Sequence, residues 1–249
     1  MQMSVWSKMK RFAAAAVIFP LALAACSDNA DGAAQVPGGD TAGAEGDLPA
    51  IPVMGPEIDI LAFGDSLFAG YGVGEADSYP TKLEAALRAR GVNADIANAG
   101  VSGDTSAAGL QRLKFVLDAQ EDKPDLFILE LGGNDLLRQI KPDETRANLG
   151  AILDELKSRG IPVLLMGMRA PPNYGPEFQA QFDTLYADLA EEYGAGLIPF
   201  WLESIFQDQS LFQSDRIHPT AEGIEALVGA TVDKVEAAIP AADSLDKAA

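Results

Sequence analysis

Five short apolar runs punctuate the chain between residues 58 and 200: "IDILAF" (58–63), "ADIANAG" (94–100), "DLFILELGG" (125–133), "IPVLLMGM" (161–168) and "GLIPF" (196–200). None alternates strictly between apolar and polar, and Gly, Asn or Pro bounds or interrupts each. Runs of this kind fit strands covered on both faces. The segments between them carry a helical period. Over 143–160 the apolar residues Leu149, Ile152, Leu153 and Leu156 fall at i, i+3, i+4 and i+7. Asp143 and Glu144 open that segment, while Lys157 and Arg159 close it ahead of Gly160, matching the charge preference of the two helix ends. Segment 79–90 has Pro80 in its first turn, Leu83 and Leu87 on one face and Gly91 as a stop. Further helices are predicted near 105–119, 177–193 and 220–238. Regular strand–helix alternation predicts an α/β domain over residues 57–240, a three-layer α/β/α sandwich around a parallel five-stranded sheet.

The two ends read differently. Residues 1–25 combine the basic "KMKR" with the apolar "FAAAAVIFPLALAA" and small residues before Cys26, the only cysteine. That is the grammar of a signal peptide, too short and too interrupted by Pro20 for a transmembrane helix. Leu23-Ala24-Ala25-Cys26 resembles a bacterial lipobox, which implies cleavage before Cys26, lipid on its sulfur, and an exported, periplasmic or cell-envelope protein held to a membrane. Residues 26–56 are rich in Gly, Ala, Pro and Asp with no Lys or Arg, the composition of a flexible tether. Residues 241–249 read as a frayed tail.

Composition narrows the function. The chain carries a formal charge of −19. Setting aside Lys8, Lys10 and Arg11 of the leader leaves 15 basic against 37 acidic residues, a balance of −22. Such a surface repels phosphate backbones, so nucleic acid is a poor partner. One cysteine excludes an internal disulfide and any C-x-x-C redox or metal site. With a single histidine and acids that read as solvated surface, no metal site and no cofactor are expected.

In parallel sheets the chemistry lies in loops at the carboxyl ends of the strands. The first strand runs into "FGDSLFAGYG", where Ser66 stands among glycines suited to a sharp turn. It fits neither a phosphate loop nor the G-x-S-x-G elbow. The second ends in "NAGVSGDTS", where Gly103 precedes Asp104 and Thr105, both able to cap the next helix. Backbone N–H groups at a helix start suit a developing negative charge. The third ends in "LGGND", whose Asn134 offers an amide donor that does not titrate. The last loop is "SDRIHPTAEG", with Asp215 three residues before His218, a spacing that lets the carboxylate hold the imidazole. Taken singly, each stretch reads more readily as a turn or a cap. Together they supply a serine, a backbone donor, an amide donor and an Asp–His pair, the parts of acyl transfer through a serine ester.

These four stretches, in this order, resemble the four blocks of the GDSL or SGNH hydrolases. "ELGGNDLLR", "LLMGMRAPPNYG" and "LIPFWLESI" extend the likeness to the periplasmic bacterial subgroup of multifunctional thioesterase, arylesterase and lysophospholipase enzymes, over residues 57–238. The resemblance implies a flavodoxin-like sheet, Ser66, Asp215 and His218 as catalytic residues, and an oxyanion hole from the N–H groups of Ser66 and Gly103 with the Asn134 amide. It implies a small acyl ester or thioester as substrate and no cofactor. Two departures stand out: the lipobox, since better-known members are soluble after cleavage, and Arg216, at a position often occupied by Gly. A carbohydrate O-deacetylase of the same family and a non-catalytic ligand-binding lipoprotein are the alternatives. The loop "APPNYGPEF" (170–178) is either the wall of an acyl pocket or a stiff connector. The aromatics of "IPFWLESIF" belong either to core or to pocket wall.

Overall fold

The computed structural model describes residues 53–241. The signal-like stretch 1–25, Cys26, the tether up to residue 52 and the tail from residue 242 lie outside the described residues. Five strands form one parallel sheet in the order β2-β1-β3-β4-β5: β1 (Ile58–Gly64), β2 (Ala94–Gly100), β3 (Leu126–Glu130), β4 (Val163–Met166) and β5 (Gly196–Ile198). The five runs read from the sequence are these strands, and the order is the flavodoxin-like one. The run 125–133 stops being strand at Glu130, because Leu131 and Gly132 turn out of the sheet to start a short helix. The central strand β3 is buried along its whole length, which is why it is apolar from Leu126 to Leu129, and only its last residue, Glu130, is polar.

Five long helices flank the sheet: α2 (Tyr79–Ala89), α3 (Ser106–Asp118), α5 (Pro142–Ser158), α6 (Pro176–Tyr193) and α7 (Ala221–Ala238). Helices α2 and α7 pack together on one face, and α3, α5 and α6 on the other. The side changes because the chain steps from β1 outward to β2, then returns past β1 to β3, and right-handed crossovers in opposite directions cover opposite faces. Two single-turn helices, α1 (Ser66–Ala69) and α4 (Gly133–Leu137), follow β1 and β3 directly. Neither is long enough to show a period in sequence. Leu83 and Leu87 of α2 and Leu149, Ile152, Leu153 and Leu156 of α5 are all buried, so the apolar stripes read from the sequence are the faces that pack.

The register sets the edge where the loops gather. Gly64, at the end of β1, is level with Gly100 of β2 and Glu130 of β3. The three stretches that follow these residues therefore begin side by side. Beneath them lies an aromatic cluster. Phe68 of α1 stacks on Tyr79 with ring centroids 5.3 Å apart, and the buried Trp201 meets the edges of both. Tyr79 Oη bonds Thr231 of α7 at 2.7 Å, anchoring the cluster to the far end of the chain.

Candidate active site

Ser66 is the first residue of α1. Asp65 caps that turn by accepting the Leu67 N–H at 3.0 Å, and Gly70 ends it in the left-handed conformation. The serine is thus held at the switch point of the sheet, on a turn whose core side is fixed by the buried Leu67 and Phe68. Its Oγ lies 2.9 Å from His218 Nε2, and His218 Nδ1 lies 2.7 Å from Asp215 Oδ2. The other Asp215 oxygen accepts the backbone N–H groups of Ile217 and His218, at 2.9 and 3.1 Å. Partial burial works to raise the Asp215 pKa, but the His218 ring and the two backbone donors override it and bring it down to about 2. Asp215 is therefore ionised and can only accept. Nδ1 carries the imidazole proton, and Nε2 is left as acceptor for the Ser66 hydroxyl.

Gly103 sits in a turn closed by the Asp104 N–H donating to Val101 O at 3.1 Å. Its φ of +87° is the one a type II turn demands at its third residue. Arg138 Nη2 donates to its carbonyl at 2.8 Å, fixing the turn from the next block. Of the two expected helix caps, only Thr105 is one, accepting the Ala108 N–H at 3.2 Å. Asp104 instead pairs with Arg112 at 2.6 Å. Arg112 also donates to Gly64 O at 3.0 Å and lies over the Phe63 ring, so it ties the second block to the first. Asn134, in the first turn of α4, donates one amide hydrogen to Asp65 Oδ2 at 2.9 Å. The buried Asp135 beside it receives Ser106 N–H, Ser106 Oγ and Thr145 Oγ1, joining α4 to α3 and α5.

Sequence alone places the Asp–His pair in a strand-end loop, yet it lies well beyond the end of β5. A segment of turns over 199–207 and a 3-10 turn at Gln209–Leu211 carry the chain back across the edge. Gln213 then completes the approach, and nothing in the sequence marks it. Its backbone N–H donates to His218 O at 2.7 Å, and its Nε2 donates to Tyr71 O at 2.8 Å and Pro219 O at 2.9 Å. One side chain thus bonds the nucleophile loop to the histidine loop. Tyr71 lies against the imidazole, tilted by 32°, with centroids 4.2 Å apart. Arg216 has φ +60°, a region that costs an L-residue roughly 1–3 kcal/mol. That is the backbone reason glycine suits this position.

Ser66, Gly103, Asn134 and His218 all line one open cleft of about 570 Å³. Its walls are mainly apolar and include Leu67, Leu137, Met168, Pro171, Phe200 and Phe206. The 170–178 loop is a wall: Pro171 and Tyr174 face the cleft, and Tyr174 Oη donates to Leu136 O at 2.7 Å. The large apolar residues after β5 divide, with Trp201 and Ile205 in the core and Phe200 and Phe206 on the cleft. Their segment forms turns rather than a helix. Every predicted site residue within the described residues is brought to this one place, and Cys26 lies outside them. Among the described acids, Glu57, Asp59 and Asp95 converge at the opposite edge, at the amino ends of β1 and β2. They are exposed or half-exposed.

Residues 62–226 match the model of the GDSL-like lipase/acylhydrolase family. The chain belongs to that family. Within it, the chain is 39% identical over 160 residues to the esterase TesA of Pseudomonas aeruginosa, a match covering 64% of this chain and 79% of that protein. It is 36% identical over 163 residues to thioesterase 1/protease 1/lysophospholipase L1 of Escherichia coli K12, covering 66% and 76% of the two chains. The crystal structure of AlinE4, an SGNH-hydrolase family esterase, superposes with a TM-score of 0.64 and 62% identity, over 76% of this chain and all of that one. This GDSL-family chain is a serine esterase in class.

Proposed function

We propose that Ser66 is the nucleophile, His218 the general base and acid, and Asp215 the residue that orients and charges the imidazole. The observation that carries this reading is the relay from Ser66 Oγ through His218 to an ionised Asp215, 2.9 and 2.7 Å long, opening on an apolar cleft. His218 Nε2 takes the Ser66 proton as Oγ attacks the acyl carbon, and Asp215 stabilises the imidazolium. The tetrahedral oxyanion is received by the N–H groups of Ser66 and Gly103 and by the Asn134 amide hydrogen that Asp65 leaves unused. His218 then protonates the departing alcohol or thiol, and water repeats the attack on the acyl-enzyme.

Aryl and short-to-medium acyl esters, acyl thioesters and lysophospholipids are the substrate range. What supports it is the apolar wall of the cleft, together with the names borne by the relatives. The lipobox supports a protein exported to the cell envelope, with residues 26–56 tethering the 57–240 domain to a lipidated Cys26. No described helix is long and apolar enough to cross a membrane. The test is hydrolysis of p-nitrophenyl esters from acetate to palmitate by the parent and by Ser66→Ala. Turnover in the parent that disappears in a folded variant is the expected result, and the preferred chain length sizes the cleft. Activity surviving in Ser66→Ala would overturn the assignment.

A further inference from the structure

Glu130 ends β3 level with Gly64, is fully buried, and takes no part in the steps above. Its Oε2 accepts the Asp65 N–H at 3.2 Å, and its carboxyl group is in hydrogen-bond contact with the Asp65 carboxyl. Oε1 is buried and receives no hydrogen bond from the described residues, so no donor there compensates a charge. Two carboxyl groups in contact do not both ionise, and one must keep a proton. Burial first, then the Asp65 charge, hold Glu130 well above the usual carboxylate range. Burial raises Asp65 as well, but bonds from the Leu67 N–H, Glu130 and Asn134 oppose that rise. The charge therefore sits on Asp65, and Glu130 is the acid that donates to it.

Asp65 is a poor place for looseness. It immediately precedes the nucleophile, it caps the turn that presents Ser66, and its Oδ2 takes one hydrogen of the Asn134 amide. The second amide hydrogen is aimed wherever that bond leaves it. Glu130 grips Asp65 twice, accepting from its backbone and donating to its side chain. We propose that Glu130 is a positioning residue, a buried carboxylic acid that clamps Asp65 and through it aims the Asn134 amide at the developing oxyanion. The proposal rests on the oxyanion role given to Asn134 above. An ionised Glu130 would lose the donor and add a second negative charge behind the site where negative charge must develop. The titratable groups facing it are Asp65 from the β1–α1 turn and Tyr186 from α6, with Asp135 from α4 beside Tyr186. Burial, then the carboxyls of Glu130, Asp135 and Asp65, hold the Tyr186 hydroxyl well above its ordinary range, so Tyr186 stays neutral. His218, near Asp65, adds charge only when protonated.

Two variants separate positioning from mere packing. Glu130→Gln keeps an acceptor for the Asp65 N–H and a donor for its carboxylate but cannot ionise. Glu130→Met fills similar space with neither. Both are assayed with the parent and Ser66→Ala on a soluble p-nitrophenyl ester from about pH 5 to about pH 10, and their unfolding by urea is followed over the same range. The Gln variant is expected to keep kcat within about threefold of the parent and to lack the part of the alkaline fall due to Glu130. The Met variant is expected to lose kcat by roughly 10–100-fold with KM nearly unchanged, the signature of a contact felt in the transition state. Stability supplies an independent reading. Above the ordinary glutamate range of about 4.3 the unfolded chain has released a proton that the native Glu130 keeps. The folding equilibrium constant of the parent then falls about tenfold per pH unit relative to Glu130→Gln, until the native group ionises.

A folded Met variant with parental kcat would overturn the proposal, as would a folded Gln variant as slow as Met. If Met does not fold, the Gln variant decides alone: an unfolding curve with the parent's pH slope means that Glu130 is not held neutral, and the proposal fails. Failure of the triad reading looks different, because Ser66→Ala then retains activity whatever the Glu130 variants do.

Discussion

A serine hydroxyl is a feeble nucleophile, and in the function proposed above what changes Ser66 is an imidazole nitrogen at 2.9 Å whose tautomer is set by Asp215. With Asp215 brought down to about 2, the orienting carboxylate keeps its charge at every pH where the enzyme would work. Asn134 is poised by a different carboxylate, Asp65, which also caps the turn that carries Ser66, so the proposed nucleophile and the proposed oxyanion donor share a support that is separate from Asp215. The proposed oxyanion role has a kinetic consequence. Asn134→Ala should lower kcat by about 10²–10³ while leaving KM close to the parent's, because the amide acts on charge present only in the transition state. Steady-state kinetics on a soluble aryl ester checks it. A loss carried by KM instead would make Asn134 a ground-state binding group.

At the scale of elements, the site is the product of register and short turns. Parallel pairing sets Gly64, Gly100 and Glu130 level, so three blocks far apart in sequence emerge side by side. The long helices were legible because each shows an apolar stripe, a cap or a glycine stop. The turns α1 and α4, which present Ser66 and Asn134, were not, since four or five residues cannot display a 3.6-residue period. The histidine loop is the one component that strand pairing does not deliver. It is held by Gln213, whose amide bridges Tyr71 and Pro219. Removing that amide in Gln213→Ala breaks two bonds worth about 1 kcal/mol each. The expected result is a stability loss of about 1–3 kcal/mol with kcat reduced roughly tenfold or more, since small misplacements of a catalytic group are costly. Urea unfolding and kcat, measured together, decide it. Unchanged kcat in a destabilised variant would show that the loop keeps its place without the bridge.

At the scale of the whole molecule, the hydrolase domain and the amino-terminal segment are separate propositions. If Cys26 carries lipid, Cys26→Ser expressed in a bacterium able to process lipoproteins should move the enzyme from the membrane fraction to the soluble one. Its kcat/KM on soluble esters should be unchanged, because every described site residue lies between Asp65 and His218. Fractionation with an ester assay reads both, and a variant that stays with the membrane would defeat the anchor. The sequence by itself determined the parts: five apolar runs for five strands, helices bounded by their own caps, and Ser66, Gly103, Asn134, Asp215 and His218 as candidates. Those are local matters, set by residue type, period and short spacing. Only the tertiary structure decided what holds the parts in place. Arg112 reaching Gly64, Gln213 reaching Tyr71 and Glu130 touching Asp65 join residues 48, 142 and 65 positions apart. Contacts over such distances leave no local pattern, because each partner is ordinary until the fold brings the pair together.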